Sequence, residues 1–140
     1  LLVFQLATGI ALFILKIGIM PIEMKIHFLG TSSQPPVSLE GLYDSLIPHL
    51  ATISLVTLIV GHFLMMLERP SQKLKFIWIA ILFASGIGNS LAGLLIRFLN
   101  EDFVFLKFLC FVVYEISFVG ALIWLGVCLW QQMITALEQK

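Results

Sequence analysis

"FVVYEISFVGALIWLGVCLW", residues 111 to 130, is an uninterrupted apolar stretch with one charged residue, Glu115. A helix needs about 20 apolar residues to cross the hydrocarbon core of a bilayer, so this segment alone is long enough to span a membrane. The whole chain has the same character: 60% of its 140 residues are hydrophobic and 11% are charged. Soluble domains have about 45–50% apolar and about 25% charged residues. The sequence therefore predicts an all-α integral membrane protein.

Three polar interruptions divide the chain into four apolar blocks. They are "GTSSQPPVS" (30–38), "ERPSQK" (68–73) and "NED" (100–102). Gly and Pro in the first interruption prevent a helix from continuing, and Ser38 and Ser71 have the residue type and position of helix N-caps. Connections this short make neighbouring helices antiparallel. We predict one transmembrane domain over residues 1–140, an up-down-up-down bundle of four helices with spans at approximately 1–29, 39–67, 72–99 and 101–137.

The charge balance excludes a nucleic-acid partner and gives a small orientation signal. Eight Lys and Arg residues offset eight Asp and Glu residues, so no basic field attracts a polyanion. Four basic residues on one side of the membrane face three on the other: Arg69, Lys73, Lys75 and Lys140 against Lys25, Arg97 and Lys107. The positive-inside rule then favours both termini in the cytoplasm. The expected location is a bacterial inner membrane or another energy-transducing membrane.

Glu115 is the residue that this apolar environment makes hardest to explain. A charge at the bilayer centre costs about 2.5–3.5 kcal/mol on insertion scales, so it is expected to face the bundle and find a partner. We call the side of the membrane that carries residues 21–45 and 98–104 the outer side. If the first helix continues to Leu29, Lys16 lies at nearly the same depth as Glu115, about 18 Å from the outer side at 1.5 Å per residue. If that helix ends at Pro21, Lys16 snorkels to the interface instead and Glu115 pairs with another subunit.

The first case gives an intramembrane polar layer. Its members are Lys16, Ser54, Asn89 and Glu115. Such a layer holds the helices in register, or it forms a route for protons or ions, because ionisable groups within membranes are functional candidates by default.

Small residues in the third span predict close helix packing. The stretch "ASGIGNSLAG" (84–93) places small or polar residues at four-residue spacing, which lets helix backbones approach each other. The residues concerned are Ser85, Gly86, Asn89, Ser90 and Gly93. The pattern fits packing within the bundle, which is preferred, or an interface between subunits.

The three histidines suggest a cofactor or a metal as alternatives. His27, His49 and His62 are candidate axial ligands of a single haem b. His49 and His62 are separated by about 220° on an ideal helix, so they do not hold two stacked haems. The other role for His62 is that of a buried, hydrogen-bonded packing residue. Imidazole, thioether and carboxylate groups also make a candidate metal site near the outer end, with His27, His49, Met24 and Glu23 as its ligands.

Motifs for catalysis are absent from the sequence. It has no glycine-rich phosphate loop, nucleophile elbow or His-Glu-x-x-His motif. Cys110 and Cys128 lie about 27 Å apart along one helix and cannot bridge each other. We therefore expect a small non-catalytic subunit that packs with other membrane subunits or with itself. The alternatives are a single-haem b-type electron-transfer protein and an oligomeric channel or proton-coupled transporter that uses Glu115 and Lys16.

Overall fold

The computed structural model describes residues 2–138 and folds them into five α-helices joined by short loops. The helices are α1 (Leu2–Lys16), α2 (Pro21–Leu29), α3 (Leu39–Met66), α4 (Gln72–Phe98) and α5 (Phe103–Glu138). Helices α3, α4 and α5 are each long and apolar enough to cross a membrane, and α1 and α2 together make a fourth candidate crossing. The prediction of an all-helical chain is confirmed. Lys140, used in the orientation count, lies outside the described residues.

The first predicted span is broken between α1 and α2. Gly18 has a φ of 87°, a left-handed conformation that glycine adopts at little cost and that ends a helix. Pro21 then takes the first position of α2, where its missing N–H leaves no helical hydrogen bond unmade. The Glu23 carboxylate accepts a hydrogen bond from the Met20 backbone N–H at 3.0 Å. The predicted span at 1–29 is thus two helices bent by 71°, not one continuous rod.

The other helix boundaries follow local signals. Ser38 caps α3 as predicted, because its Oγ accepts the Gly41 N–H at 3.0 Å. Ser71 occupies the N-cap position of α4 but makes no side-chain capping bond. Helix α3 continues through Pro48. Each of these three long helices ends within two residues of its predicted limit, since polar residues and prolines interrupt helices locally.

Helix α4 is the centre of the packing. It lies against α3 and α5 along most of its length, whereas α1 packs extensively against none of the other helices. A Cβ on Gly86 would lie 2.5 Å from Ile53 Cγ2 and 3.1 Å from the Tyr114 ring, so glycine is what lets α3 and α5 approach α4 here. Most of the small-residue stretch is buried within the chain: Ser85, Gly86, Asn89 and Gly93. The stretch is therefore used for packing inside this molecule.

The buried side chains form two clusters along the bundle. We use inner and outer only as labels for the two ends of the bundle, the inner end at the α3–α4 turn and the outer end at the α2–α3 and α4–α5 loops. The inner cluster includes Val60, Leu64, Leu82 and Phe118, and the outer cluster includes Phe13, Met24, Phe28, Leu42 and Ile96. In lipid, such clusters stabilise the fold by close van der Waals contact and not by removal from water. The space between the two clusters is only partly filled, and it contains the site described below.

Two of the basic residues counted in the orientation signal, Lys75 and Arg97, are bound to helix ends. Lys75 is fully buried, and its ammonium group donates to the carbonyl oxygens of Met65 and Leu67 at the end of α3. Arg97 Nη1 donates to the Phe28 carbonyl at 3.2 Å in the last turn of α2. Carbonyls in a last helical turn have no partner within the helix, and positive charge is favourable beside them. Both charges therefore stabilise helix ends.

Candidate functional site

A cavity of about 540 Å³ lies between the two clusters and is lined by residues from all five helices. This volume falls in the range of about 300–1,000 Å³ that is usual for small-molecule sites. The buried lining residues come from all five helices and include Phe13, Phe28, Ile53, Asn89 and Phe118. The exposed lining residues belong to α1 and α3: Leu12, Lys16, Ser45, His49 and Thr52. The cavity therefore opens sideways between α1 and α3, toward the lipid.

Lys107 is the buried cation of this cavity. Its side chain is 6% exposed, and its Nζ donates to the Asn89 carbonyl oxygen at 3.0 Å and to Asn89 Oδ1 at 3.4 Å. The ring centroids of Phe13 and Phe28 lie 5.9 Å and 5.4 Å from Nζ, within cation–π range. An ammonium group has three N–H donors. Two reach Asn89, so one is left for a further acceptor.

Three other basic side chains line the cavity with Lys107. The His27 ring contacts the Phe28 ring edge-on at a centroid distance of 4.9 Å, and the Phe28 ring centroid lies 5.4 Å from Lys107 Nζ. Lys16 and His49 line the same cavity. Lys107 is four residues from the start of α5, about 6 Å along the helix. The outer end of the cavity is therefore a basic cluster, defined by Lys16, His27, His49 and Lys107.

Glu115 lines the same cavity at a deeper level. It follows Lys107 by eight residues, about 12 Å along α5. Its Oε2 atom is buried and has no hydrogen-bond partner. Within residues 2–138 the structure has one salt bridge, Lys25 to Glu101 at 2.7 Å, so neither Glu115 nor Lys107 is paired with an opposite charge.

The predicted polar layer is assembled only in part. Asn89, Glu115 and Lys16 all line the cavity, whereas Ser54 does not. Lys16 is exposed and does not pair with Glu115. The depth count that matched these two residues assumed a continuous helix to Leu29, and the break at Gly18 removes that assumption. Lys107 takes the place in the interior that the sequence analysis gave to Lys16.

The histidines divide between two faces of the bundle. His27 and His49 reach the cavity, while His62 lies on another face of α3 beside Ile79 and Phe83. His62 is exposed, so the buried packing role predicted for it is wrong.

The four predicted metal ligands are not brought together. His27 and His49 line the cavity, but Met24 is fully buried in the outer cluster and Glu23 is bonded to the Met20 backbone. In the part of the chain that the structure describes, no group of three or more His, Cys, Asp or Glu side chains is arranged to hold a metal ion.

Lys107 is the site residue that sequence reasoning missed. The orientation count groups it with Lys25 and Arg97 on the outer side, although it lies inside the span predicted at 101–137. Its neighbours Leu106 and Phe108 are apolar, and a lysine one turn inside such a span was the available signal.

Comparison with known protein families identifies the class. Residues 18–136 match the model of a family described as Aq_1264_TM, a transmembrane helical domain. The chain belongs to this family. The match covers α2 to α5, including the three long helices, and it supports the same conclusion as their length: this is an integral membrane protein. No curated protein and no solved structure shows significant similarity to the chain.

Proposed function

We propose that the chain is a non-catalytic subunit of a larger membrane assembly, bound to its partner through the end of α5. The observation that supports this is a projecting apolar surface. Helix α5 has 36 residues and its antiparallel neighbour α4 has 27, so α5 extends about 13 Å further at 1.5 Å per residue. We refer to residues 129–138 as the α5 tail.

The α5 tail carries an apolar stripe that its own chain leaves uncovered. The large side chains are 39–65% exposed and recur at three- and four-residue intervals: Leu129, Trp130, Met133, Ile134 and Leu137. About 20 residues cross the hydrocarbon core, so a 36-residue helix that enters the core near its start at Phe103 leaves it before its last turns. An apolar stripe outside the core is typical of an interaction site. Another membrane subunit or a second copy of this chain fits this surface.

Native mass spectrometry of the full chain, extracted from its own membrane in mild detergent, tests the proposal. We expect a complex heavier than the 15.7 kDa chain, containing partner chains in fixed ratio. Leu129→Ala together with Leu137→Ala should dissociate it. Ile123→Ala is the matched control, because Ile123 is 62% exposed but lies within the span. A monomer for the wild type, or equal masses for the wild type and the double variant, contradicts the proposal.

A second candidate function is single-haem electron transfer. The observation that favours it is that His27, on α2, and His49, on α3, line one cavity. The cavity residues fit a cofactor with anionic groups, and bound haem would supply one-electron chemistry. Purified protein should then show an intense Soret band that His49→Ala removes. A colourless preparation excludes this function.

Transport is supported by the unpartnered Glu115 oxygen and by the presence of Lys16 and Glu115 in the same cavity. Glu115→Gln should then abolish proton-coupled flux in reconstituted vesicles and leave assembly intact. Unchanged flux in that variant, or no flux in the wild type, removes this candidate.

The proposed topology is an up-down-up-down bundle in a bacterial inner membrane, with α1 and α2 as one bent crossing and both termini cytoplasmic. The apolar character of the bent pair supports four crossings. Reporter fusions test it: alkaline phosphatase should be active when inserted at Ser33 and inactive at the C-terminus. The reverse pattern contradicts the orientation. A third fusion at the N-terminus tests the number of crossings, because opposite sides for the two termini contradict four crossings.

A further inference from the structure

We propose that the cavity binds a single-chain amphiphile with an anionic headgroup, which enters from the bilayer between α1 and α3. The headgroup lies at the basic cluster, and the acyl chain follows the apolar lining toward the level of Glu115. This inference concerns a different surface from the α5 tail and does not depend on the subunit role.

Charge complementarity carries the first step. Lys107 is buried among Phe13, Phe28 and Asn89 without a counter-charge, and one of its N–H donors is left over. A buried charge is stabilised by a hydrogen-bonded opposite charge. His27 and His49 line the same cavity, and an imidazole has an N–H to donate whether it is neutral or protonated. A carboxylate or phosphate headgroup supplies acceptors for all three side chains.

Depth in the membrane carries the second step. Lys107 is about 6 Å from the start of α5, and Glu115 is about 12 Å deeper. The anionic headgroup therefore lies near the interface, where the headgroups of membrane lipids lie, and is separated from the like charge of Glu115. A soluble anion would need no apolar surface below the headgroup, but this cavity continues past it.

The shape of the cavity restricts the rest of the ligand. Below the basic cluster its lining is mainly aliphatic and aromatic: Leu6, Ile53, Val56, Phe111 and Phe118. A volume of about 540 Å³ suits one small-molecule ligand, so we assign a single acyl chain. The entry route follows from the loose packing of α1. At Gly9, on the α1 wall, an added Cβ would meet nothing within 4 Å.

Binding to the full chain in phosphatidylcholine nanodiscs tests the proposal, with bound ligand counted by native mass spectrometry. The probes are oleate, oleyl alcohol with the same chain and no charge, inorganic phosphate with charge and no chain, and phosphatidylglycerol with two chains. We expect one oleate per protein and no measurable phosphate binding. Oleyl alcohol should bind at least about tenfold more weakly than oleate, as expected for the loss of one hydrogen bond to a charged group. Phosphatidylglycerol should also bind more weakly than oleate.

Variants locate the headgroup. Lys107→Met keeps a side chain of similar length but removes the charge, so it should weaken oleate binding about tenfold or more. Lys107→Arg keeps the charge and should retain binding. Lys25→Met is the matched control, since Lys25 is paired with Glu101 and does not line the cavity. Gly9→Leu provides a test that leaves all basic residues in place: its side chain has space to fold and should block the acyl chain.

Each of several results overturns the proposal. Equal affinities for oleate and oleyl alcohol would contradict the requirement for an anionic headgroup. Phosphate binding as tight as oleate binding would contradict the requirement for an acyl chain. Phosphatidylglycerol binding as tight as oleate removes the single-chain assignment. Unchanged oleate binding in Gly9→Leu places the ligand outside the cavity, and so does unchanged binding in a folded Lys107→Met. Stoichiometric haem in the purified protein assigns the cavity to another ligand.

Discussion

The two sides of α3 and α4 differ in how closely the helices meet. On one side, α3, α4 and α5 pack through Gly86, with no room for one further carbon atom. On the other side, α1 stands apart from α3, and a cavity of about 540 Å³ remains between them. On the open side the lining also contains the basic cluster and Glu115. Helix association within lipid depends on close van der Waals contact, which is present on the packed side and limited between α1 and α3.

The largest expected effect is on the packed side. Gly86→Leu forces a side chain into the space occupied by Ile53 and Tyr114, and overpacking of this kind should lower the free energy of unfolding by about 3 kcal/mol or more. Thermal unfolding in detergent measures it. Gly126→Leu is the control, since nothing lies within 4 Å of a Cβ there. Equal melting temperatures for the two variants would show that α3 and α5 do not meet at Gly86.

The next effect concerns the inner end of the packed side. Lys75→Met leaves the carbonyls of Met65 and Leu67 without their charged donor, which should lower the free energy of unfolding by about 1–3 kcal/mol. Lys73→Met is the control, because Lys73 is exposed two residues away. Denaturant titration compares the two, and an equal loss in both variants contradicts the helix-capping role of Lys75.

On the open side, Glu115→Gln should raise the free energy of unfolding by about 1 kcal/mol, because it neutralises a carboxylate with one unpartnered buried oxygen. Lys16→Met should neither reproduce nor compensate this change, since the structure does not pair the two residues. Denaturant titration of both single variants and the double variant measures the coupling. A coupling energy clearly above zero would support the Lys16–Glu115 ion pair predicted from the sequence and contradict the structure on this point.

The smallest effect sharpens the contrast between the two sides. Gly9→Ala should raise the free energy of unfolding by about 0.5–1 kcal/mol, since alanine is the better helix residue and its Cβ meets nothing within 4 Å. Gly86→Ala should have the opposite sign. Thermal unfolding of this pair gives the direct comparison, and a loss of stability in Gly9→Ala would mean that α1 packs closely.

The long helices were predictable because their signals are local. Ser38 and the polar turns mark helix ends within a few residues, and the thickness of the bilayer sets the length between them. The interior of the bundle was less predictable. The choice of Lys16 as the buried cation came from counting depth along a helix, and depth does not tell which way a side chain points. The chain bends at Gly18, just after Lys16, so α1 and α2 do not form the continuous helix on which that depth count relied.

The burial of Lys75 has a consequence for covalent labelling. An amine must reach water to be acylated, and the Lys75 ammonium has no exposed surface in the folded chain. Lys107 is nearly as inaccessible, whereas Lys73 lies on the surface two residues from Lys75. The number of labels that an amine-reactive reagent adds to the peptide containing Lys73 and Lys75 therefore reports whether this region is folded. We expect one label while the α3–α4 turn is intact and two labels once it opens.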